Sequence, residues 1–205
     1  MEILSHEEIR IIGSLIEKEN TTPEYYPMTI NALTNACNQK SSRNPVVNYD
    51  EMFVEETTEK LREKGFATKV TGAEYRVPKF RQLFSEYYKL SLPETAALCV
   101  LFLRGPQTVG EIRGRTSRIY NFADLTEVDL TLEKLIKRED GPFVIKLPRD
   151  SGRERRFTHL FCGEPKLELT IVDQEEDKLE LRITALENEL KELKEEFLKF
   201  KKAFD

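Results

Sequence analysis

One order of segments occurs twice along this chain, and it narrows the available folds more than any other property. Each copy opens on a helical stretch, LSHEEIRIIGSLIEK from Leu4 and LSLPETAALCVLFLR from Leu90. In the first, Ile9, Ile12, Leu15 and Ile16 share one helical face. In the second, Ala97, Val100, Leu101 and Arg104 keep helical spacing inside a more uniformly apolar run. Ser5 and Ser91 stand where an N-cap would stand, with Glu8 and Glu94 three residues on, the spacing of a capping box. A short helical stretch follows, MTINALTNAC or TVGEIRGRT, and then a longer one, DEMFVEETTEKLREKG or LTEVDLTLEKLIKRED. Glu59-Lys60-Leu61 in the first copy aligns with Glu133-Lys134-Leu135 in the second. Two β-like runs close each copy: FATKV and EYRV around Thr71-Gly72-Ala73, then FVIKL and RRFTHLF around a longer polar loop. Three helices and a hairpin in that order describe a winged helix. The alternative is two small α+β domains of another kind, which the repetition disfavours.

The expected fold class is therefore mainly α with small β-wings, an α+β chain of two tandem winged-helix domains and a C-terminal coiled-coil helix. The boundaries read as 1–78 and 91–165 for the two domains, 79–90 for a connecting helix, 166–178 for a linker and 179–205 for the coiled coil. The connecting segment PKFRQLFSEYYKL places Phe80, Leu83, Phe84, Tyr87 and Tyr88 on one helical stripe. Such a stripe is costly to expose, so the connection is expected to pack between the domains.

The tail supports its own assignment. Leu179, Ile183, Leu186, Leu190, Leu193, Phe197, Phe200 and Phe204 are separated by alternating steps of 4 and 3. With Ile183 at a heptad a position, a parallel pair sets Arg182 against Glu187, Glu189 against Lys194 and Glu196 against Lys201, all opposite in sign. A parallel homodimer is the expected arrangement; the alternatives are a trimer, which the bulky phenylalanines would admit, and a lone helix folded back on the body.

Composition bounds the functional classes. Charged residues are 34% of the 205, above the usual ~25%, and the net charge of −5 excludes a strongly basic protein without excluding a basic face. No run of about 18 apolar residues is present, so no membrane span is expected. The acidic start MEILSHEEIR and three widely spaced cysteines, Cys37, Cys99 and Cys162, point to a reducing cytoplasm.

Five segments resemble the YceH-like family of bacterial proteins: TTPEYYP at Thr21 to Pro27, ACNQKSSRNPV at Ala36 to Val46, LRGPQTVGEIRGRTSRIYNF at Leu103 to Phe122, REDGPFVIKL at Arg138 to Leu147, and HLFCGE at His159 to Glu164. The resemblance implies two tandem winged helices, often with a coiled-coil tail, and no particular activity. Asn44 departs from the family pattern, in which Asp is frequent.

Catalysis finds little support. Phosphate-loop, dinucleotide, hydrolase-elbow and HExxH motifs are absent from the sequence. His6 reads as a solvated residue at a helix start and His159 as a packed, hydrogen-bonded one. His159 and Cys162 form an HxxC pair, but a structural zinc needs about four ligands, so no metal, no cofactor and no enzyme activity are expected. The cysteines read as buried and inert.

Nucleic-acid contact is the leading expectation, and double-stranded DNA the expected partner. The third helix of the first copy, about Asp50 to Lys64, sums to −3 and would be repelled by phosphate. Its preceding loop offers Lys40 and Arg43 as phosphate donors, although a solvated turn explains them equally well. The second copy is more favourable: Arg113, Arg115 and Arg118 cluster in EIRGRTSRIY, and its hairpin loop holds Lys146, Arg149, Arg153, Arg155 and Arg156 against Asp150 and Glu154, a local +3. The third helix here, about Leu125 to Arg138, sums to zero and offers no obvious base reader. The alternative function is a protein-interaction scaffold built on winged helices, with other proteins as partners and no nucleic acid.

Overall fold

Both opening serines cap helices, and each does so reciprocally with the glutamate three residues later. Glu8 N–H donates to Ser5 Oγ at 3.2 Å and Ser5 N–H to Glu8 at 2.8 Å, and the same box closes over Ser91 and Glu94. A computed structural model describes residues 1–72, 76–149 and 154–165. The chain divides into two compact units, Met1–Pro165 and Lys166–Asp205, and every described residue lies in the first. The coiled-coil positions Leu179 to Phe204 lie outside the described residues.

The elements run α1 (His6–Thr21), a single 3-10 turn (Pro23–Tyr25), α2 (Ile30–Cys37), α3 (Glu51–Glu63), β1 (Ala67–Val70), β2 (Lys79–Gln82), α4 (Phe84–Tyr87), α5 (Leu92–Arg104), α6 (Val109–Thr116), α7 (Leu125–Ile136), β3 (Val144–Lys146) and β4 (Phe157–His159). The architecture is α+β: seven helices and two antiparallel hairpins among the described residues. The two halves use the same local devices. Thr29 and Thr108 cap α2 and α6, and Asp50 and Asp124 cap α3 and α7. Leu61 and Leu135 are fully buried, and their carbonyls accept from the N–H groups of Phe66 and Phe143 at 2.8 and 3.0 Å. The residue before each threonine cap adds a single antiparallel bridge to its two-stranded hairpin, because Met28 pairs with Phe80 and Gln107 with Phe157.

The halves share one core. Helix α5 is buried all round from Glu94 to Leu103, as expected of a helix packed on several sides. It packs on α1, where a β-carbon at Gly13 would stand 2.9 Å from Leu103 Cδ2 and 3.1 Å from Phe102 Cβ. The N–H of Leu4 donates to the carbonyl of Phe161 at 2.7 Å. An aromatic cluster completes the joint: Phe84 meets Phe102 at 5.5 Å and Phe161 at 5.0 Å, and Tyr88 meets Phe143 at 4.9 Å. Edge-to-face pairs of this kind contribute about 0.5–1.5 kcal/mol each beyond their burial.

The connecting segment corrects the sequence reading. Residues 79–82, read as the start of a helix, form β2, which pairs with β1 from Ala67–Gln82 to Val70–Lys79. The second strand of the hairpin is therefore Lys79–Gln82; of the expected EYRV run, Glu74 and Tyr75 lie outside the described residues. Only Phe84–Tyr87 is helical. The expected burial between the halves holds for Phe84 and Tyr88, whereas Tyr87 is exposed.

Candidate nucleic-acid interface

Arg43, expected as a phosphate donor in the loop after α2, is turned inward by the fold. Its side chain is fully buried and meets Glu17 at two points, 3.2 and 2.6 Å. Nε and Nη2 also donate to the carbonyl of Ala36 at 3.1 and 2.9 Å. A guanidinium held this way is a brace between α1 and α2 and offers nothing to a phosphate. Lys40, in the same loop, is exposed.

The second half gathers more of the expected residues. Arg113, Arg115 and Arg118 are all exposed on α6 and the turn after it. Arg113 also fixes the approach to α7, donating to the carbonyls of Phe122 at 3.4 Å and Ala123 at 2.7 Å. On the hairpin, Lys146 pairs with Glu133 at 2.6 Å, Arg149 is exposed and Arg155 half-buried. Arg153 lies outside the described residues. Arg156 reaches α6, where Nη1 pairs with Glu111 at 2.7 Å and donates to the carbonyl of Pro106 at 3.0 Å. The hairpin and α6 are thus tied into one basic edge.

Behind that edge lies a cleft of about 290 Å³ with an almost wholly polar lining, shared by Ser42, Arg104, Gln107, Glu111, Arg115 and Arg156. Arg115 donates to Gln107 Oε1 and sits 3.4 Å from Glu111. Arg104 Nη2 donates to Ser42 Oγ at 2.6 Å, with Ser42 in the left-handed region at φ 62°. Burial, and then the neighbouring charge of Arg115, pull the Arg104 guanidinium below its usual range. Burial pushes the Glu111 carboxyl up, but the Thr108 N–H and Arg156 more than offset this and hold it below the usual carboxylate range. Sequence reasoning missed Arg104 and Gln107. Arg104 reads locally as a cation at a helix C-terminus, and Gln107 as the residue before a cap. Only the Glu111–Arg115 spacing of four was a local sign of this cluster.

The first half presents the opposite charge. The outer side of α3 forms a shallow depression lined by Met52, Glu55, Glu56, Glu59, Lys60 and Glu63. Helix α7 presents Leu125 and Leu130, 49% and 59% exposed.

The histidines and cysteines gather no site. His6 is exposed at the first residue of α1. His159 packs edge-on against Phe102 at 5.0 Å, but the expected hydrogen bond is missing at Nδ1, which is buried without a partner among the described residues. Burial pushes the Cys37 and Cys162 thiols up to about 11 and raises that of Cys99 as well. Among the described residues no three of His, Cys, Asp and Glu stand together as metal ligands, and no helix is long and apolar enough to cross a membrane.

Comparison with known proteins places the chain among bacterial relatives. The chain is 50% identical over 202 residues to a "UPF0502 protein" of Solibacter usitatus, covering 97% of this chain and 96% of the relative. It is 46% identical over 200 residues to the "UPF0502 protein YceH" of Salmonella arizonae and to that of Escherichia fergusonii, in each case covering 94% of this chain and 93% of the relative. Residues 4–153 match the family described as "Protein of unknown function, DUF480", and the chain belongs to that bacterial family.

Proposed function

We propose that each half is a winged helix, and that the protein is a dimeric, non-catalytic, cytoplasmic DNA-binding or regulatory protein. It contacts duplex DNA through the basic edge of its second half. The helix order, the capped third helices and the two-stranded hairpins, each joined by one bridge residue ahead of the second helix, support the winged-helix reading. The observation on which the functional reading rests is the edge itself. Arg113 and Arg115 on α6 and Arg118 in the turn after it adjoin a hairpin that bears Lys146, Arg149 and Arg156, and the Arg156–Glu111 pair ties the two together. Exposed arginines on a loop and a helix suit phosphate and groove contacts. The acidic α3 stays away from the duplex.

The test is fluorescence anisotropy with a labelled random-sequence duplex. The double substitution Arg118→Ala/Arg149→Ala weakens binding across sequences and lowers the salt slope by about 0.9 per lost contact. Equal binding by wild type and variant at low salt rejects the edge.

A second reading, a protein-interaction scaffold, is favoured by Leu125 and Leu130 on the outer side of α7. Isolated large apolar residues are ordinary on surfaces, but two on the helix that reads DNA in other winged helices suit a protein partner better than a groove. No duplex binding at about 50 mM salt would favour this reading.

A further inference from the structure

We propose that the cleft formed by the loop at Ser42, the end of α5 and the first turns of α6 binds a small phosphate monoester of the polyol or sugar phosphate type. The proposal shares Arg115 and Arg156 with the duplex edge but does not require that the protein bind a duplex.

Charge is the first argument. Arg43 also borders the cleft, but Glu17 already neutralises it at 2.6 Å. Arg104, Arg115 and Arg156 remain, against the single carboxylate of Glu111, which leaves +2. A phosphate monoester approaches −2 at neutral pH, whereas each duplex phosphate bears −1. Donor capacity is the second argument. A guanidinium has five N–H donors, and the bonds drawn by Arg104 to Ser42 and by Arg115 to Gln107 leave most of them unused. Burial first, and then the neighbouring charge of Arg115, lower the basicity of Arg104, and an anion bound beside it opposes both.

Size and lining narrow the ligand. The volume of about 290 Å³ falls just under the range typical of drug-sized ligands. The lining contains no aromatic side chain on which a base could stack. A phosphate bearing a short hydroxylated chain fits both facts. Ser42 comes from the first half and the arginines from the second, so an occupied cleft adds a bridge between them.

The experiment is calorimetric titration of the full chain with inorganic phosphate and with glycerol phosphate, at constant ionic strength set with sodium chloride. One saturable site per chain is expected, with a matching rise in Tm. Arg104→Gln should weaken it by about tenfold or more, the loss of a charge-assisted pair. Glu111→Gln keeps a residue able to complete the capping box and removes the competing charge, so affinity should rise several-fold; a misfolded variant could not show that gain. Lys60→Ala, on α3, should bind as wild type does. Non-saturable heats, or equal affinity in Arg104→Gln, overturn the proposal. So does a duplex that loses affinity on Arg104→Gln while neither small phosphate saturates, because the cleft is then part of a duplex surface. Saturation by glycerol phosphate in a protein that binds no duplex supports it and separates it from the reading above.

Discussion

Arg43 and Glu17 form a two-point ion pair inside the first half, at 3.2 and 2.6 Å, with the arginine side chain fully buried. Removing one member leaves the other charge in a poorly solvated site and frees the Ala36 carbonyl. Arg43→Ala should therefore cost about 3 kcal/mol or more of folding stability, read from the midpoint of urea unfolding. The pair also sets a pH dependence. Burial pushes the Glu17 carboxyl up, but Arg43 and Lys18 outweigh it and hold the group below its usual range. Its stabilisation is present above the ordinary carboxylate pKa and is lost as pH falls through the lowered folded value.

The contact of Gly13 with Leu103 fixes how closely α1 and α5 approach. Alanine at 13 improves helix propensity by about 1 kcal/mol, but its β-carbon meets Leu103 at 2.9 Å and Phe102 at 3.1 Å. The crowding outweighs the gain because Phe102 Cβ is close to the backbone and cannot swing aside. Gly13→Ala should lower stability by about 1–2 kcal/mol and Gly13→Leu by more, measured as Tm. Because the core is shared, wild type should unfold in one calorimetric transition.

His159 supplies a second pH test. Burial, and then His6, depress its pKa from 6.5 to about 4. Between those values the unfolded chain binds a proton that the folded chain refuses, so stability falls as pH drops from 6.5 towards 4. His159→Phe preserves an aromatic contact with Phe102 and removes this titration. Between pH 7 and pH 5 the variant should lose less stability than wild type, by about 1–2 kcal/mol. Equal losses in urea midpoints would show that His159 is not held neutral.

What the sequence revealed, and what it hid, follows from the range of each interaction. Caps are local, so Ser5–Glu8 and Ser91–Glu94 were legible, and so was the alignment of Leu61 with Leu135, both of which prove to be fully buried. Residues 79–88 misled because Phe80 and Gln82 are buried at the two-residue period of a strand, while Phe84 and Tyr88 follow at the four-residue step of a helix. A single stripe drawn through all of them mixed the two periods. Arg43 was indistinguishable from Lys40 in a polar loop, because its partner Glu17 lies 26 residues away. The arginine cleft was hidden for the same reason: Arg104 and Ser42 meet across 62 residues.

The heptad positions Leu179 to Phe204 predict a parallel dimer. Light scattering at tens of micromolar should give twice the chain mass for the full chain and the monomer mass for a chain ending at Asp173. A monomeric full chain, or a shortened chain that stays dimeric, would contradict it. In a dimer, two basic edges act together and raise duplex affinity through effective concentration.

The central claim is that duplex DNA meets the second half through its basic edge. Amide hydrogen exchange, followed by mass spectrometry with and without a random-sequence duplex at about 50 mM salt, tests it most directly. The account predicts protection on α6 and on the hairpin at 144–159, with α3 unchanged. Protection centred on α3, or no change anywhere at saturating duplex, would contradict it.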